Sequence, residues 1–260
     1  MTSTLTTTSK QNNIAHFSED PATANKVQAG LEMAERWDPS HTRLEDALEA
    51  SRVHWQDGDS AMPRAFVDSL NRSLGELVQH GLDRTAAAVG SAFPVFAMPN
   101  SNGQLVSSES LLAEGPLVVM FYRGGWCPYC NLALRAMQFK LDAIESAGAS
   151  LVAVSPEPPD DSLSTSEKNE LRFNVLTDAG SILAENAGIV WEMSDEAVQW
   201  QEKFFGLQLE NVNGHGQRNR LPVPATFVLD TSGIVRWRFV EAAYWRRADP
   251  DAVVEAVRSL

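Results

Sequence analysis

The spacing of apolar residues divides the chain into a helical first part and an α/β second part. Between residues 26 and 85, apolar side chains recur every three or four positions, which is the period of an amphipathic helix. This pattern predicts helices at residues 27–36, from a cap at Ser40 or Thr42 to about residue 55, and at 61–82. One face of the third helix carries Phe66, Leu70, Leu74, Leu77 and Val78. We expect this stripe to pack on the rest of the protein, because it would otherwise be an aggregation-prone patch.

After Gly90 the pattern changes to short apolar runs that alternate with helical stretches. The first runs are apolar on both sides, which is typical of strands that are buried on both faces of a sheet. A four-residue loop joins the last two runs and predicts an antiparallel hairpin. The predicted strands are at 117–123, 150–156, 173–178, 225–230 and 234–240, and the predicted helices are at about 128–147, 161–170, 180–188 and 250–259. The second part is therefore predicted to be an α/β domain with a mixed sheet flanked by helices.

Three segments follow from these patterns. Residues 1–25 are rich in Ser, Thr and Asn, and they predict a mobile tail. Residues 26–88 form an all-helical N-terminal extension, and residues 89–260 form the α/β domain. Within that domain the connection at 192–224 is long, and we predict a helix at Asp195–Phe205 followed by a loop near the functional site.

Composition and charge narrow the class of protein. An apolar fraction of 43% supports a packed core, and 34 acidic against 21 basic residues give a net charge of −13. This balance argues against a nucleic-acid partner. The sequence has no apolar run of 18 residues and no apolar segment near its start, so we expect neither a membrane span nor a secretory signal. A cytoplasmic location is the expectation.

Both cysteines of the chain, Cys127 and Cys130, lie in the stretch FYRGGWCPYC. A structural zinc usually needs four ligands, and the sequence has no second pair to complete the set, so we expect no metal. A structural disulfide across two residues would close a very small loop and contribute little stability. Redox chemistry fits better, because the pair falls between a predicted strand and the first turn of a helix. There the free N–H groups and the helix dipole stabilise a thiolate.

Three stretches together carry a resemblance to a known family. FYRGGWCPYC, SLVAVSPE and VPATFVLDTSGIVRWRFV resemble the peroxiredoxin-like branch of the thioredoxin superfamily, the alkyl hydroperoxide reductase/thiol-specific antioxidant group. The likeness covers about residues 90–260. It implies a thioredoxin-like fold and reduction of a peroxide by a cysteine thiolate. It also implies recycling by a thioredoxin-type or other thiol donor; no cofactor is expected, and a homo-oligomer is possible.

The resemblance leaves open which cysteine attacks. Without gaps, Arg123 stands where the family has a Pro, Cys127 where it has a Thr, and Cys130 at the peroxidatic position. Aligned instead on the thioredoxin-style W-C-x-x-C motif, Cys127 is the attacking thiol. We expect Cys127 to be more exposed and to react first, with Arg123, Trp126 and Pro224 as substrate-binding residues. Pro224 replaces the family's late-strand Arg and resembles the cis-proline of thioredoxins.

Three functions remain open. The leading one is a thiol peroxidase that ends its cycle with a Cys127–Cys130 disulfide. The second is a thiol–disulfide oxidoreductase that acts on protein disulfides, with Cys127 attacking and Cys130 resolving. The third is a redox-sensing module without enzymatic turnover.

Overall fold

The computed structural model describes residues 21–213 and 218–260. The helices of this part are α1 (Pro21–Arg36), α2 (Leu44–Gln56), α3 (Arg64–His80), α4 (Leu82–Thr85), α5 (Ser108–Glu114), α6 (Pro128–Ser146), α7 (Pro159–Lys168), α8 (Ile182–Asn186), α9 (Asp195–Phe205), α10 (Leu209–Val212) and α11 (Pro250–Arg258). The strands are β1 (Ala97–Pro99), β2 (Leu105–Ser107), β3 (Leu117–Phe121), β4 (Ser150–Ser155), β5 (Asn174–Thr177), β6 (Val190–Glu192), β7 (Arg220–Pro222), β8 (Ala225–Leu229) and β9 (Val235–Val240). Within these ranges we find no helix of the length and apolar character that spanning a bilayer requires.

A five-stranded mixed sheet forms the centre of the α/β part, in the order β5-β4-β3-β8-β9. Strands β3, β4 and β5 are parallel, while β8 runs antiparallel to β3 and β9 antiparallel to β8. Every residue of β3 is buried, as its continuous apolar sequence predicts for a central strand. The mixed-sheet α/β fold is therefore confirmed.

The turn residues explain where the strands end. Asp230 accepts backbone N–H bonds from Ser232 (2.9 Å) and Ile234 (3.1 Å), which closes the hairpin between β8 and β9. At the end of β5, the Asp178 carboxylate accepts the N–H groups of Leu183 (2.8 Å) and Ala184 (2.9 Å). Both aspartates therefore shape the backbone close to the strands that they follow.

The helical extension differs in detail from its prediction. Helix α1 begins at Pro21, so residues 21–25 of the predicted tail are helical, and residues 1–20 lie outside the described residues. Helix α2 has Arg43 at its N-cap, and neither Ser40 nor Thr42 caps it. Ser40 instead donates its backbone N–H to Asp38 (2.8 Å) in the preceding turn, and this local bond competes with capping. The division into tail, extension and α/β domain stays a prediction.

The apolar stripe of α3 packs inward, against α9. Phe66, Leu70 and Leu74 are buried, and the Phe66 ring stacks on Trp200 with 6.0 Å between ring centroids. Val78 was wrongly placed on this face, because 59% of it is exposed. Each helical residue turns the chain by about 100°, so Val78 lies about 120° around the axis from Phe66.

Candidate active site

The cysteine pair lies where β3 passes into α6. Cys127 is the N-cap residue of α6, and Cys130 lies in its first turn, with its N–H donating to the Cys127 carbonyl (3.0 Å). Pro128 takes the first helical position, where a backbone N–H would form no hydrogen bond within the helix, so the N–H that proline lacks costs nothing. The approach to the helix needs a glycine, because a Cβ on Gly125 would collide with the Thr165 side chain. The sequence-based placement of the pair is thus confirmed.

Both sulfurs are shielded from solvent. The exposed fraction is 1% for Cys127 and 0% for Cys130. The expectation that Cys127 is the exposed cysteine was wrong, because α3 and α9 cover this end of the sheet. Covering residues such as Phe66 and Phe205 line a small space next to Cys127.

The Cys130 sulfur accepts hydrogen bonds from two directions. Arg247 Nη2 lies 3.1 Å from it, and the backbone nitrogen of Arg123 lies 3.5 Å from it. Burial by itself would raise the pKa of Cys130, but the hydrogen bond from the Cys127 thiol and the charge of Arg247 lower it to about 5. The negative charge of the pair therefore rests on Cys130.

Cys127 has the opposite tendency. Burial raises its pKa well above the ordinary value, and the hydrogen bond to Cys130 raises it further, since donating that bond requires the proton. The charges of Arg123 and Arg247 oppose this rise only in part. The pair is thus a thiol at Cys127 next to a thiolate at Cys130.

Arg123, the cation that the sequence placed nearest the pair, is buried within the site. Its Nη2 donates to Gln201 Oε1 at 2.6 Å. The guanidinium lies over the rings of Trp126 (4.8 Å), Tyr244 (5.0 Å) and Trp191 (5.5 Å). These aromatic faces stabilise a buried cation close to the sulfurs.

Arg247 is a site residue that the sequence interpretation missed. It lies between β9 and α11, and its Nη1 donates to the carbonyl oxygens of Tyr244 (2.5 Å) and Arg246 (2.7 Å). These bonds orient Nη2 towards Cys130. The only signal in the sequence is the pair of arginines in YWRRADP, and nothing in the pattern shows which of the two points inward.

Glu157 is a second residue that the sequence interpretation missed. Its carboxylate accepts the N–H of Gly125 (2.8 Å) and the hydroxyl of Tyr122 (3.3 Å). Burial raises the pKa of Glu157 to about 7, with the nearby charge of Asp161 adding to the rise and the Gly125 bond opposing it. This carboxyl fixes the glycine turn that leads to Cys127.

Trp126 and Pro224, the other two predicted substrate-binding residues, lie in different parts of the site. Trp126 is half-buried next to Arg123 and Cys127. Pro224 lies along a narrow crevice with Arg247, at the start of β8. Its peptide bond is trans, as are all others in residues 21–213 and 218–260, so the likeness to a thioredoxin cis-proline was wrong.

A small cavity of about 10 Å³ lies next to Cys127, and we call it the closed chamber. It is lined by residues of α3 and of the segment before it, together with residues of the α/β domain, including α9. The lining residues are Met62, Phe66, Leu70, Arg123, Trp126, Cys127, Pro128, Tyr129, Gln201, Phe205 and Tyr244. The volume is close to what one water molecule needs.

The helical extension also reaches the site through one polar side chain. Gln56, at the end of α2, donates its Nε2 to the hydroxyls of Tyr129 (2.8 Å) and Tyr244 (3.0 Å). Tyr129 stands between the two cysteines in sequence, and Tyr244 lies under the Arg123 guanidinium. The extension is therefore hydrogen-bonded to the residues that surround the sulfurs.

Comparison with known families agrees with this geometry. The model of the AhpC/TSA family matches residues 89–238, which is more than half of the chain. The chain belongs to the AhpC/TSA family. The helical extension and Arg247 lie outside the matched residues.

Individual relatives are distant. The chloroplastic peroxiredoxin Q of Populus jackii is 25% identical over 147 residues, which are 56% of this chain and 57% of that protein. The peroxiredoxin Bcp of Escherichia coli K12 is 26% identical over 116 residues, which are 45% of this chain and 67% of that protein. The match thus spans little more than half of the length of the Populus relative.

Solved structures confirm the fold. The crystal structure of peroxidoxin BcpB from Mycobacterium tuberculosis superposes with a TM-score of 0.53 at 19% identity, covering 67% of this chain and 98% of that one. The peroxiredoxin 6 of Arenicola marina gives a TM-score of 0.54 at 14% identity, covering 67% and 73%. The expected thioredoxin-like fold of the peroxiredoxin type is therefore present.

Proposed function

We propose that the protein is a thiol peroxidase in which Cys130 attacks the peroxide and Cys127 resolves the product. The observation that carries the proposal is the 3.1 Å bond from Arg247 to the Cys130 sulfur, which stabilises the reactive thiolate. This assignment agrees with the ungapped family register and reverses our expectation from the sequence. Membership of the AhpC/TSA family and the likeness to peroxiredoxins Q and Bcp support the reaction type.

The buried pair supplies both the nucleophile and a proton. The Cys130 thiolate attacks one oxygen of the peroxide, an S–O bond forms, and the O–O bond breaks. The thiol of Cys127 gives its proton to the leaving oxygen, which departs as water or an alcohol. Cys127, now a thiolate, attacks the sulfenic sulfur of Cys130 and displaces hydroxide. The product is a Cys127–Cys130 disulfide.

Return to the dithiol requires two electrons from a thiol. We place a thioredoxin-type donor first, as the family resemblance implies. Because both sulfurs are buried in the dithiol form, the donor's thiolate reaches the disulfide only when the covering side chains move aside. Arg123 and Trp126 are the proposed peroxide-binding residues, because the backbone nitrogen of Arg123 lies 3.5 Å from the Cys130 sulfur and the Arg123 guanidinium lies over the Trp126 ring. We also propose Pro224 as a substrate-binding residue, because it lines the same narrow crevice as Arg247. The cytoplasmic location stays a prediction.

Separate cysteine variants test this order of reaction. In Cys127→Ser, peroxide should convert Cys130 to a sulfenic acid that persists, because the resolving thiol is missing. In Cys130→Ser, peroxide should produce no sulfenic acid at the wild-type rate. Mass spectrometry of the intact, peroxide-treated chains distinguishes the two. A stable sulfenic acid on Cys127 in Cys130→Ser, formed as fast as in the wild type, would reverse the assignment.

The alternative is a thiol–disulfide oxidoreductase that acts on proteins. The position of Cys127 at the N-cap of α6, after Trp126, favours it, because thioredoxin-type enzymes attack from that place. The burial of both sulfurs favours the peroxidase, since a protein disulfide needs an exposed thiol. Reduction of insulin disulfides without catalytic peroxide consumption would support the alternative. Oxidation that stops after one turnover with a thioredoxin system present would indicate a redox sensor.

A further inference from the structure

We infer that Asn131 is a positioning residue for the second chemical step, in which Cys127 closes the disulfide with Cys130. Its buried side-chain amide joins the first turns of α6 to the glycine turn before the helix, and so holds the Cys127 backbone in place. The inference rests on the proposed peroxidase function and adds a residue to its resolving step. It is carried by the contacts of the amide, by the support that the amide receives from α7, and by the chemistry of the step.

The Asn131 amide bonds to the chain on both sides of Trp126. Its Nδ2 donates to the carbonyl oxygen of Gly125 at 2.7 Å and to that of Cys127 at 3.1 Å. Asn131 lies one turn after Cys127, and helical side chains lean towards the N-terminus of their helix, which brings the amide back over the residue four positions earlier. The glycine turn is thereby tied to the helix that carries both cysteines.

A second buried amide holds the first one in this orientation. Asn169, the C-cap residue of α7, donates its Nδ2 to Asn131 Oδ1 at 2.8 Å and to the carbonyl oxygen of Thr165 at 2.9 Å. Because its oxygen is engaged in this way, the Asn131 amide presents its nitrogen to the glycine turn. Asn131 and Asn169 are only 4% and 5% exposed, so these bonds lie in a region that is shielded from water.

The bonds leave the Cys127 backbone little freedom. Its N–H donates to the Gly124 carbonyl oxygen at 3.1 Å, and its own carbonyl oxygen accepts the Cys130 N–H at 3.0 Å together with the Asn131 amide. With the backbone fixed, only rotation between side-chain rotamers moves the Cys127 sulfur. Loss of the Asn131 amide releases both the Gly125 carbonyl and one bond to the Cys127 carbonyl.

This constraint matters most after the peroxide has reacted. In the dithiol state the hydrogen bond between Cys127 and Cys130 holds the two side chains together. Once the Cys127 proton has gone to the leaving oxygen, that bond is lost. The Cys127 thiolate then attacks the sulfenic sulfur of Cys130, an S–S bond forms, the S–O bond breaks, and the oxygen leaves as hydroxide. The backbone must now keep the two sulfurs in place for this attack.

The first chemical step does not depend on the same contacts. Arg247 and the backbone N–H of Arg123 hold the Cys130 thiolate, and neither group is bonded to the Asn131 amide. A change at Asn131 should therefore slow closure of the disulfide and spare the attack on the peroxide. A general loss of structure would slow both steps.

Rapid acid quench of the full chain separates the two steps. The protein is reduced, freed of reductant and mixed with hydrogen peroxide, and intact mass then distinguishes dithiol, sulfenic acid and disulfide. Asn131→Leu keeps the size of the side chain and removes the amide. Its first-order rate constant for closure should fall by roughly a factor of 10 to 100, while the second-order rate constant for attack stays within about a factor of two of the wild type. Sulfenic acid should accumulate on Cys130, and excess peroxide should convert more of it to sulfinic acid.

Asn100→Leu is the matched control. Asn100 is also 5% exposed, and its Oδ1 accepts the N–H groups of Asn102 and Gln104, each at 3.0 Å. It lies beside Asn174 at the start of β5, whereas the cysteines follow the end of the parallel strand β3. This variant loses a buried amide at the opposite end of the sheet, so both rate constants should equal those of the wild type.

The outcomes separate this inference from the proposed function. Unchanged closure in Asn131→Leu, an equal fall of both rate constants, or equal slowing of closure in Asn100→Leu would overturn the positioning role. If Asn131→Leu does not fold, Asn169→Leu decides by the same two rate constants, because it removes the support of the amide. If hydrogen peroxide oxidises the wild type no faster than free cysteine, or if peptide mapping places the sulfenic acid on Cys127, the proposed function itself falls.

Discussion

The guanidinium of Arg247 donates a 3.1 Å hydrogen bond to the sulfur of Cys130, although 117 residues separate them in sequence. The carbonyls of Tyr244 and Arg246 hold that guanidinium in place. A cation fixed in this way lowers the free energy of the thiolate before any substrate arrives. The contact makes Cys130, the more deeply placed cysteine, the charged one.

Arg247→Met should raise the pKa of Cys130. The variant keeps a long side chain but loses the charge and the N–H donors, and an opposite charge at this distance shifts a pKa by about 1 to 3 pH units. The wild-type pKa of about 5 should therefore move towards the ordinary thiol value. The ultraviolet absorbance of the thiolate, titrated with pH, measures it. Arg246→Met is the control, since Arg246 is exposed and paired with Glu241; equal titration midpoints in both variants and the wild type would contradict the role of Arg247.

The buried carboxyl of Glu157 should make the protein less stable as pH rises. Its pKa is about 7 in the folded protein against 4.5 as the ordinary value, so the folded state binds the proton more tightly. Stability linked to Glu157 is fully present below pH 4.5 and is lost as pH rises through 7. The difference corresponds to about 3 kcal/mol.

Glu157→Gln should remove that part of the pH dependence, because the amide keeps an acceptor for the Gly125 N–H and does not titrate. Urea unfolding between pH 5 and pH 8, run on both proteins, gives the comparison. Glu167→Gln, at an exposed position of α7, should keep the wild-type slope. If the free energy of unfolding of Glu157→Gln fell between pH 5 and pH 8 as steeply as that of the wild type, the Glu157 carboxyl would not be the group that holds the proton.

The cysteine pair could be placed from sequence because its position depends on local pattern. The apolar run of β3, the glycines and Pro128 specify a strand, a turn and a helix start within about 12 residues. For the same reason the prediction of Asp195–Phe205 as a helix is confirmed. Arg247 could not be placed, because its contact with Cys130 depends on the path of the chain after β9.

The error about Cys127 has a similar cause. Its exposure was inferred from its place at the mouth of a turn, without the helices that cover the turn. That cover depends on how α3 packs on α9, and the α3 pattern shows an apolar face but not its partner. The burial of both sulfurs is thus a tertiary property that periodicity does not reveal.

Gln56→Leu should destabilise the protein by about 1 to 3 kcal/mol, because it leaves two buried tyrosine hydroxyls without their donor. Gln56 Nε2 is the donor to Tyr129 and Tyr244 at 2.8 and 3.0 Å. Chemical unfolding of the variant gives the free-energy difference. Gln199→Leu, the same change at an exposed position of α9, should have little effect. If the two variants lost equal stability, the Gln56 bonds would contribute nothing of their own.

Phe66→Ala should cost about 3 to 5 kcal/mol of the free energy of unfolding, which is the usual range for removing a buried phenylalanine. The ring is fully buried, and it contacts Trp200 and Phe204 on α9, so its loss leaves a cavity between the extension and the α/β domain. Val78→Ala, on the same helix but 59% exposed, should change stability by less than about 0.5 kcal/mol. Urea unfolding, followed by both far-ultraviolet circular dichroism and tryptophan fluorescence, measures the loss of stability.

The same two signals test whether the extension unfolds together with the α/β domain. If the extension is an integral part of the fold, both signals should shift together in Phe66→Ala. A variant in which only the helical signal melts early, while the tryptophans around the site keep their wild-type transition, would show that α3 is a separate unit that merely rests on the site.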